Sequence, residues 1–165
     1  MRQSDVELKR LAERVGRHLL KARRRAVTAE SCTGGWIAKA LTDIAGSSDW
    51  FLEGFVTYGN ESKIRRLGVP RVILKRHGAV SEATVRAMAV GALRRSDAQV
   101  AVAVTGIAGP GGAVPGKPVG TVWLGWAMRH GGTIRIATAV RRFRGDREAV
   151  RRKTVRAALQ GLLTR

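Results

Sequence analysis

Residues 99–104, Gln-Val-Ala-Val-Ala-Val, form a nearly continuous apolar run of strand length. The run stops at Thr105-Gly106 and opens into a Gly/Pro-rich loop that reaches Pro118. A strand with one face in water alternates apolar and polar side chains, whereas a strand that is apolar throughout is covered on both faces. The run therefore requires layers of other structure above and below it.

The rest of the chain supplies those layers. Leu8, Leu11, Ala12, Val15 and Leu19 recur at helical spacing behind a capping-box pattern, Ser4-x-x-Glu7, which predicts a helix over about 5–22. Ala26-Val27-Thr28-Ala29 is a short strand, broken at Ser31-Cys32-Thr33-Gly34-Gly35 before a helix over about 35–44. A strand is expected over 55–58, and a helix capped by Ser81 carries Val85, Met88, Ala89, Ala92 and Leu93. His77-Gly78 has the form of a helix end. Strands over 119–127 and 133–140 flank a turn containing Gly131-Gly132, and Asp146 is a plausible N-cap for a last helix. Helices interleaved with about five strands, one pair of them a hairpin, predict an α/β fold: a three-layer α/β/α sandwich with a mixed sheet, one domain over residues 1–165.

Composition agrees with a globular chain: 165 residues, 44% hydrophobic and 26% charged, with a mean hydropathy of -0.12. No apolar run approaches the roughly 18 residues of a membrane span, and the N-terminus lacks the apolar core of a signal peptide. One cysteine, Cys32, excludes an internal disulfide and a Cys-rich metal site, and His18, His77 and His130 have no metal-ligand spacing. The reading is a cytoplasmic protein. The charge is extreme: 31 Lys and Arg against 12 Asp and Glu give +19. Such an excess attracts anions, nucleic acid included. However, 24 of the 31 cations are Arg, scattered along the chain, as an Arg-biased genome would also produce.

Three segments can carry chemistry. In Glu30-Ser31-Cys32-Thr33-Gly34-Gly35, a hydroxyl projects from a tight turn at a helix start, where free N–H groups can meet an oxyanion or an anionic substrate; Ser31 or Thr33 as a plain helix cap is the alternative. In Tyr58-Gly59-Asn60-Glu61-Ser62-Lys63, Lys63 falls about one turn into the next segment and can point back at the same sheet edge, with Tyr58 relaying a proton or orienting the pair. A lysine serves a serine as base only when neutral, which desolvation and nearby positive charge favour. In Thr105-Gly106-Ile107-Ala108-Gly109-Pro110-Gly111-Gly112, glycines let backbone amides approach a phosphate, although the spacing is neither a Walker loop nor a dinucleotide fingerprint. Glu30, Lys63 and Cys32 also form a possible thiolate triad, against which stands Cys32 as a small buried hydrophobe.

Taken together, TAESCTGG (28–35), DIAGSSDWF (43–51), GFVTYGNESK (54–63), HGAVSE (77–82), VTGIAGPGG (104–112) and KPVGTVW (117–123) resemble, in this order, the CinA C-terminal domain family. That family includes stand-alone bacterial nicotinamide-mononucleotide deamidases of the PncC type, and the likeness runs on to GDREAVR (145–151). Its longer members carry an extra N-terminal domain, for which 165 residues leave no room.

The resemblance implies hydrolysis of the carboxamide of nicotinamide mononucleotide, giving nicotinic acid mononucleotide and ammonia in pyridine nucleotide recycling. It implies Ser31 as nucleophile, Lys63 as its general base and Tyr58 as a hydrogen-bonding partner between them. Ser48, Thr105 and Arg147 are implied at the substrate site; Thr33, Gly34, Gly106 and Gly109 of the two glycine-containing turns are further candidates for binding substrate. No metal or organic cofactor is implied, and a homo-oligomer is. Two features depart from the family pattern: Gly59, where a serine is common, and the basicity. The alternative function is a non-catalytic basic module binding nucleotides or nucleic acid, linked to competence or DNA damage. No known nucleic-acid motif is present, and few aromatics are available for base stacking.

Overall fold

The computed structural model describes residues 3–165, with side chains from Asp5 onward; the capping box expected at Ser4 lies outside the described side chains. Five strands form one mixed sheet in the order β2-β1-β3-β4-β5, with β1 Ala26–Glu30, β2 Phe51–Val56, β3 Val100–Gly106, β4 Thr121–His130 and β5 Thr133–Arg142. Strand β1 runs parallel to both of its neighbours, β2 and β3. Strands β3, β4 and β5 are successively antiparallel, and β4–β5 is the expected hairpin around Gly131-Gly132.

The apolar run becomes β3, where alternate side chains enter two different cores. Val100, Val102 and Val104 pack on one face with residues of α1 (Gln3–Lys21), α2 (Trp36–Thr42) and α6 (Arg147–Leu162). Ala101 and Ala103 pack on the other with residues of α5 (Glu82–Arg94), flanked by α3 (Asn60–Leu67) and α4 (Arg71–His77). The architecture is thus the expected α/β/α sandwich. Each fully buried Val or Leu in it contributes about 1.5–3 kcal/mol relative to exposure. No helix among the described residues is long and apolar enough to cross a membrane.

Local chemistry explains several element boundaries. Ser81 caps α5 by accepting from the Thr84 N–H, and Asp146 caps α6 by accepting from the Ala149 N–H. Gly78 ends α4 after His77. The largest correction concerns β2, which runs over Phe51–Val56 rather than 55–58. Its residues pair with β1 from Ala26 to Glu30, so partner registry rather than its own apolar pattern sets its ends. Helix α2 is shorter than expected at both ends: left-handed Gly35 delays its start, and it stops at Thr42 with Asp43 as its C-cap.

Chain direction decides where a ligand can bind. From β1 the chain crosses through α2 to β2 on one side, and from β2 it crosses through α3–α5 to β3 on the other. The carboxyl end of β1 is therefore a topological switch point, where the connections diverge and leave a crevice. Ser31 is the first residue beyond that end.

Candidate active site

Three carboxyl strand ends converge on the crevice. Ser31 leaves β1 with its N–H donating to the Val104 carbonyl, and Thr57 leaves β2 with its N–H donating to the Glu30 carbonyl. The cavity there is about 260 Å³ and is lined by Ser31, Cys32, Tyr58, Lys63, Ala79, Val80, Arg147 and, apart from Pro110, the loop from Thr105 to Gly112. Of the expected site residues, Ser31, Tyr58, Lys63, Thr105, Gly106, Gly109 and Arg147 are brought together.

At its centre Lys63, only 1% exposed, donates from Nζ to Ser31 Oγ at 3.0 Å, to the Thr57 carbonyl at 2.8 Å and to the Tyr58 carbonyl at 3.0 Å. Lys63 reaches them because it occupies the first turn of α3, its N–H bonded to the Gly59 carbonyl. Burial lowers its pKa from 10.5 to about 8, against a smaller opposing effect of Cys32. About one molecule in ten is then neutral at pH 7.

The three contacts dictate how the neutral amine is arranged. It keeps two hydrogens and one lone pair, and the two carbonyls can only accept. The hydrogens are therefore directed to Thr57 and Tyr58, which turns the lone pair toward Ser31 Oγ–H. A charged Lys63 would donate to all three oxygens and offer the serine no base.

The turn carrying Ser31 is rigid on its inner side. The Gly34 N–H closes on the Ser31 carbonyl at 3.0 Å. Both Gly34 (φ 62°) and Gly35 (φ 93°) are left-handed, a conformation two successive residues with side chains would hold only under strain. Fully buried Glu30 accepts from Thr33 Oγ1 (2.6 Å) and from the N–H groups of Ile37 (2.9 Å) and Ala38 (2.8 Å), so its carboxylate anchors the start of α2. Sequence reasoning placed Glu30 only in a thiolate triad. Its signal was position: an acidic residue at the buried end of a strand, followed by a helix start.

Several expectations are corrected by these contacts. The Tyr58 side chain does not lie between Ser31 and Lys63. Those two bond directly, the Tyr58 main-chain carbonyl meets Lys63, and the Tyr58 hydroxyl accepts from Arg147 at 2.8 Å. The Thr33 hydroxyl is spent on Glu30 and is unavailable to substrate. Gly34 lines a separate depression with Trp36, Lys39 and Arg151. Ser48 lies in a 3-10 turn, Ser47–Asp49, that feeds the start of β2; since β1 and β2 are parallel, it sits at the sheet edge opposite the crevice. Cys32, by contrast, is the small buried hydrophobe that was the alternative to a thiolate: its thiol is pushed up to about 12, chiefly by burial, which disfavours the thiolate that a cysteine nucleophile needs.

Other groups frame the mouth. Arg147, the first residue of α6, donates to the Gly109 carbonyl (2.7 Å) as well as to Tyr58 and so bridges the crevice. Thr105 Oγ1 donates to the Ala79 carbonyl (2.8 Å), tying the segment after α4 to the end of β3. Gly59 caps α3 at φ −85°, ψ 159°, with open space where a Cβ would stand, so the turn into α3 does not depend on the residue being glycine or serine. Trp50 and Trp126 are buried and so unavailable as base-stacking platforms, and Trp36 already carries the guanidinium groups of Arg151 and Arg152 against its ring. Among the described residues no group of three or more His, Cys, Asp or Glu could hold a metal ion.

An α/β/α sandwich with a serine–lysine pair at the switch point defines a class, and comparison with known proteins defines the family. The CinA C-terminal domain model matches residues 8–165, and the chain belongs to that family. It is 56% identical over 153 residues, 93% of each chain, to the nicotinamide-nucleotide amidohydrolase PncC of Pseudomonas putida. It is 54% identical over 160 residues to the protein of the same name from Escherichia coli K12, covering 96% of this chain and 94% of that one. Among solved structures, a CinA superfamily protein from Klebsiella pneumoniae superposes with a TM-score of 0.89 at 42% identity, covering 95% of this chain and 96% of that one. A competence/damage-inducible protein from Agrobacterium tumefaciens superposes with a TM-score of 0.88 at 47% identity, covering 95% and 94%.

Proposed function

We propose that the chain is a nicotinamide-nucleotide amidase that hydrolyses the carboxamide of nicotinamide mononucleotide to nicotinic acid mononucleotide and ammonia. The observation that carries the reading is the buried Lys63 Nζ, 3.0 Å from Ser31 Oγ and held by two carbonyl acceptors. The relatives' names, nicotinamide-nucleotide amidohydrolases, support the substrate class.

The chemistry runs through these groups. Neutral Lys63 takes the Ser31 proton as Oγ attacks the carboxamide carbon, forming a C–O bond and a tetrahedral oxyanion. Protonated Lys63 then gives its proton to the departing nitrogen as the C–N bond breaks, and ammonia leaves. Water attacks the resulting ester with Lys63 again as base, which releases the acid and restores the serine. The glycine loop and Arg147 offer amides and a guanidinium to the substrate phosphate. Arg147 would exchange its contacts with Gly109 and Tyr58 for that anion.

The test is ammonia release from nicotinamide mononucleotide, nicotinamide and the nicotinamide dinucleotide, each with purified protein. Turnover of the mononucleotide alone is expected. Turnover of free nicotinamide at the same rate would remove the phosphate from the reading, and silence on all three would remove the reaction.

A further inference from the structure

Arg151 stands outside every role assigned so far, yet it grips the nucleophile turn from behind. Its Nε donates to the Cys32 carbonyl at 3.1 Å and its Nη2 to the Thr33 carbonyl at 2.7 Å, so one guanidinium holds two successive carbonyls just after Ser31. Its guanidinium carbon lies 5.3 Å from the Trp36 ring centroid, a stacking that keeps its plane in place. Arg151 follows Arg147 by one helical turn, so one face of α6 sends the first to the mouth of the crevice and the second beneath the turn.

Peptide planarity converts this grip into a consequence for chemistry. In a trans peptide the C=O and the next N–H point in opposite directions. Pulling the Thr33 carbonyl toward α6 aims the Gly34 N–H at the Ser31 carbonyl, which it meets at 3.0 Å. Pulling the Cys32 carbonyl the same way aims the Thr33 N–H away from α6. That N–H has no acceptor among the described residues.

We infer that Arg151 is a positioning residue. It fixes the turn Ser31–Gly34 so that Oγ stays on the Lys63 lone pair. Glu30 holds the same turn through Thr33 Oγ1, so Thr33 is tied by its hydroxyl to β1 and by its carbonyl to α6. The inference rests on the serine–lysine reading of the site. It does not depend on which carboxamide is the substrate.

The experiment reads Ser31 directly. A small sulfonyl fluoride modifies an activated serine by forming an O–S bond and expelling fluoride, with Lys63 taking the proton, and mass spectrometry gives the rate at Ser31. Arg151→Ala should slow this labelling by about 10- to 100-fold, the cost of a nucleophile held loosely by roughly an ångström. Millimolar guanidinium should recover part of the rate, and Arg151→Lys should fall between, because an ammonium cannot fork to two carbonyls. With nicotinamide mononucleotide the loss should appear in kcat rather than KM. Arg152→Ala is the control, since Arg152 also stacks on Trp36 and pairs with Asp5 and Glu148 but does not touch the turn.

Labelling of Arg151→Ala at the wild-type rate would overturn the inference, as would an equal slowing in Arg152→Ala or a loss that neither guanidinium nor Arg151→Lys relieves. A rise in KM alone would overturn it too, making Arg151 a substrate contact. If wild type labels at Ser31 but releases no ammonia from any carboxamide, the amidase reading fails and this test still decides the role of Arg151. A wild-type Ser31 that stays unmodified overturns both.

Discussion

Lys63 Nζ lies 3.0 Å from Ser31 Oγ although the two residues are 32 positions apart, and its remaining hydrogen-bonding capacity is taken by the carbonyls of Thr57 and Tyr58. A lysine in the open would be a cation of little use to a serine. Here burial favours its neutral form, and two fixed acceptors direct its hydrogens away from the serine.

The first prediction concerns rate against pH. The base is active when neutral, and its pKa is lowered to about 8. The kcat/KM for ammonia release should therefore rise tenfold per pH unit well below that value and level off above it, with a midpoint near pH 8. Initial rates between pH 6 and 10 check this. A midpoint near 10.5 would mean that Lys63 is not desolvated.

Stability should respond to the same proton. Lys63 has a pKa of about 8 when folded and 10.5 otherwise, so between these values the unfolded chain holds a proton that the folded chain has lost. Stability due to this group rises with pH across about 8 to 10.5, by about 3 kcal/mol in total, and below pH 8 the cost of the buried cation is fully present. Cys32 acts oppositely, since its folded pKa of about 12 exceeds 9.0 and the folded chain keeps its proton longer. The comparison is therefore Cys32→Ala against Cys32→Ala with Lys63→Met, by urea denaturation at each pH. Parallel curves would count against a buried Lys63.

Nucleophile identity separates two readings of the turn. Ser31→Ala should bring ammonia release to background and Lys63→Met should lower it by about 10²–10⁴-fold. Cys32→Ala should stay within a few-fold of wild type, with a stability cost of about 1 kcal/mol for the lost buried side chain. Loss of activity in Cys32→Ala with survival in Ser31→Ala would hand the role to sulfur.

Gly59→Ser should stabilise the protein. The position is extended and open, so a serine fits without strain, can cap α3 and lowers the entropy of the unfolded chain. A gain of about 0.5–1 kcal/mol is expected with activity unchanged, read from urea midpoints and ammonia release.

Legibility in the sequence followed the range of the interactions. Short-range features were readable: the continuous apolar run that β3 splits between two cores, the caps at Ser81 and Asp146, and the hairpin at Gly131-Gly132. β2 was misplaced because its ends answer to Ala26 and Glu30 on the neighbouring strand. Ser48 shares the family motif and yet lies at the far edge, since parallel pairing sends the beginning of β2 away from the crevice.

The site divides along the same line. Residue types and motif order nominated Ser31, Lys63, Thr105 and Arg147. Only the folded chain decided that Tyr58 offers Lys63 its carbonyl and Arg147 its hydroxyl, that Glu30 anchors α2, and that Arg151 braces the turn from another helix. The physical reason is that propensity, capping and periodicity act over a few bonds and are written locally. Desolvation and hydrogen-bond direction belong to groups from distant segments and exist only once those segments pack.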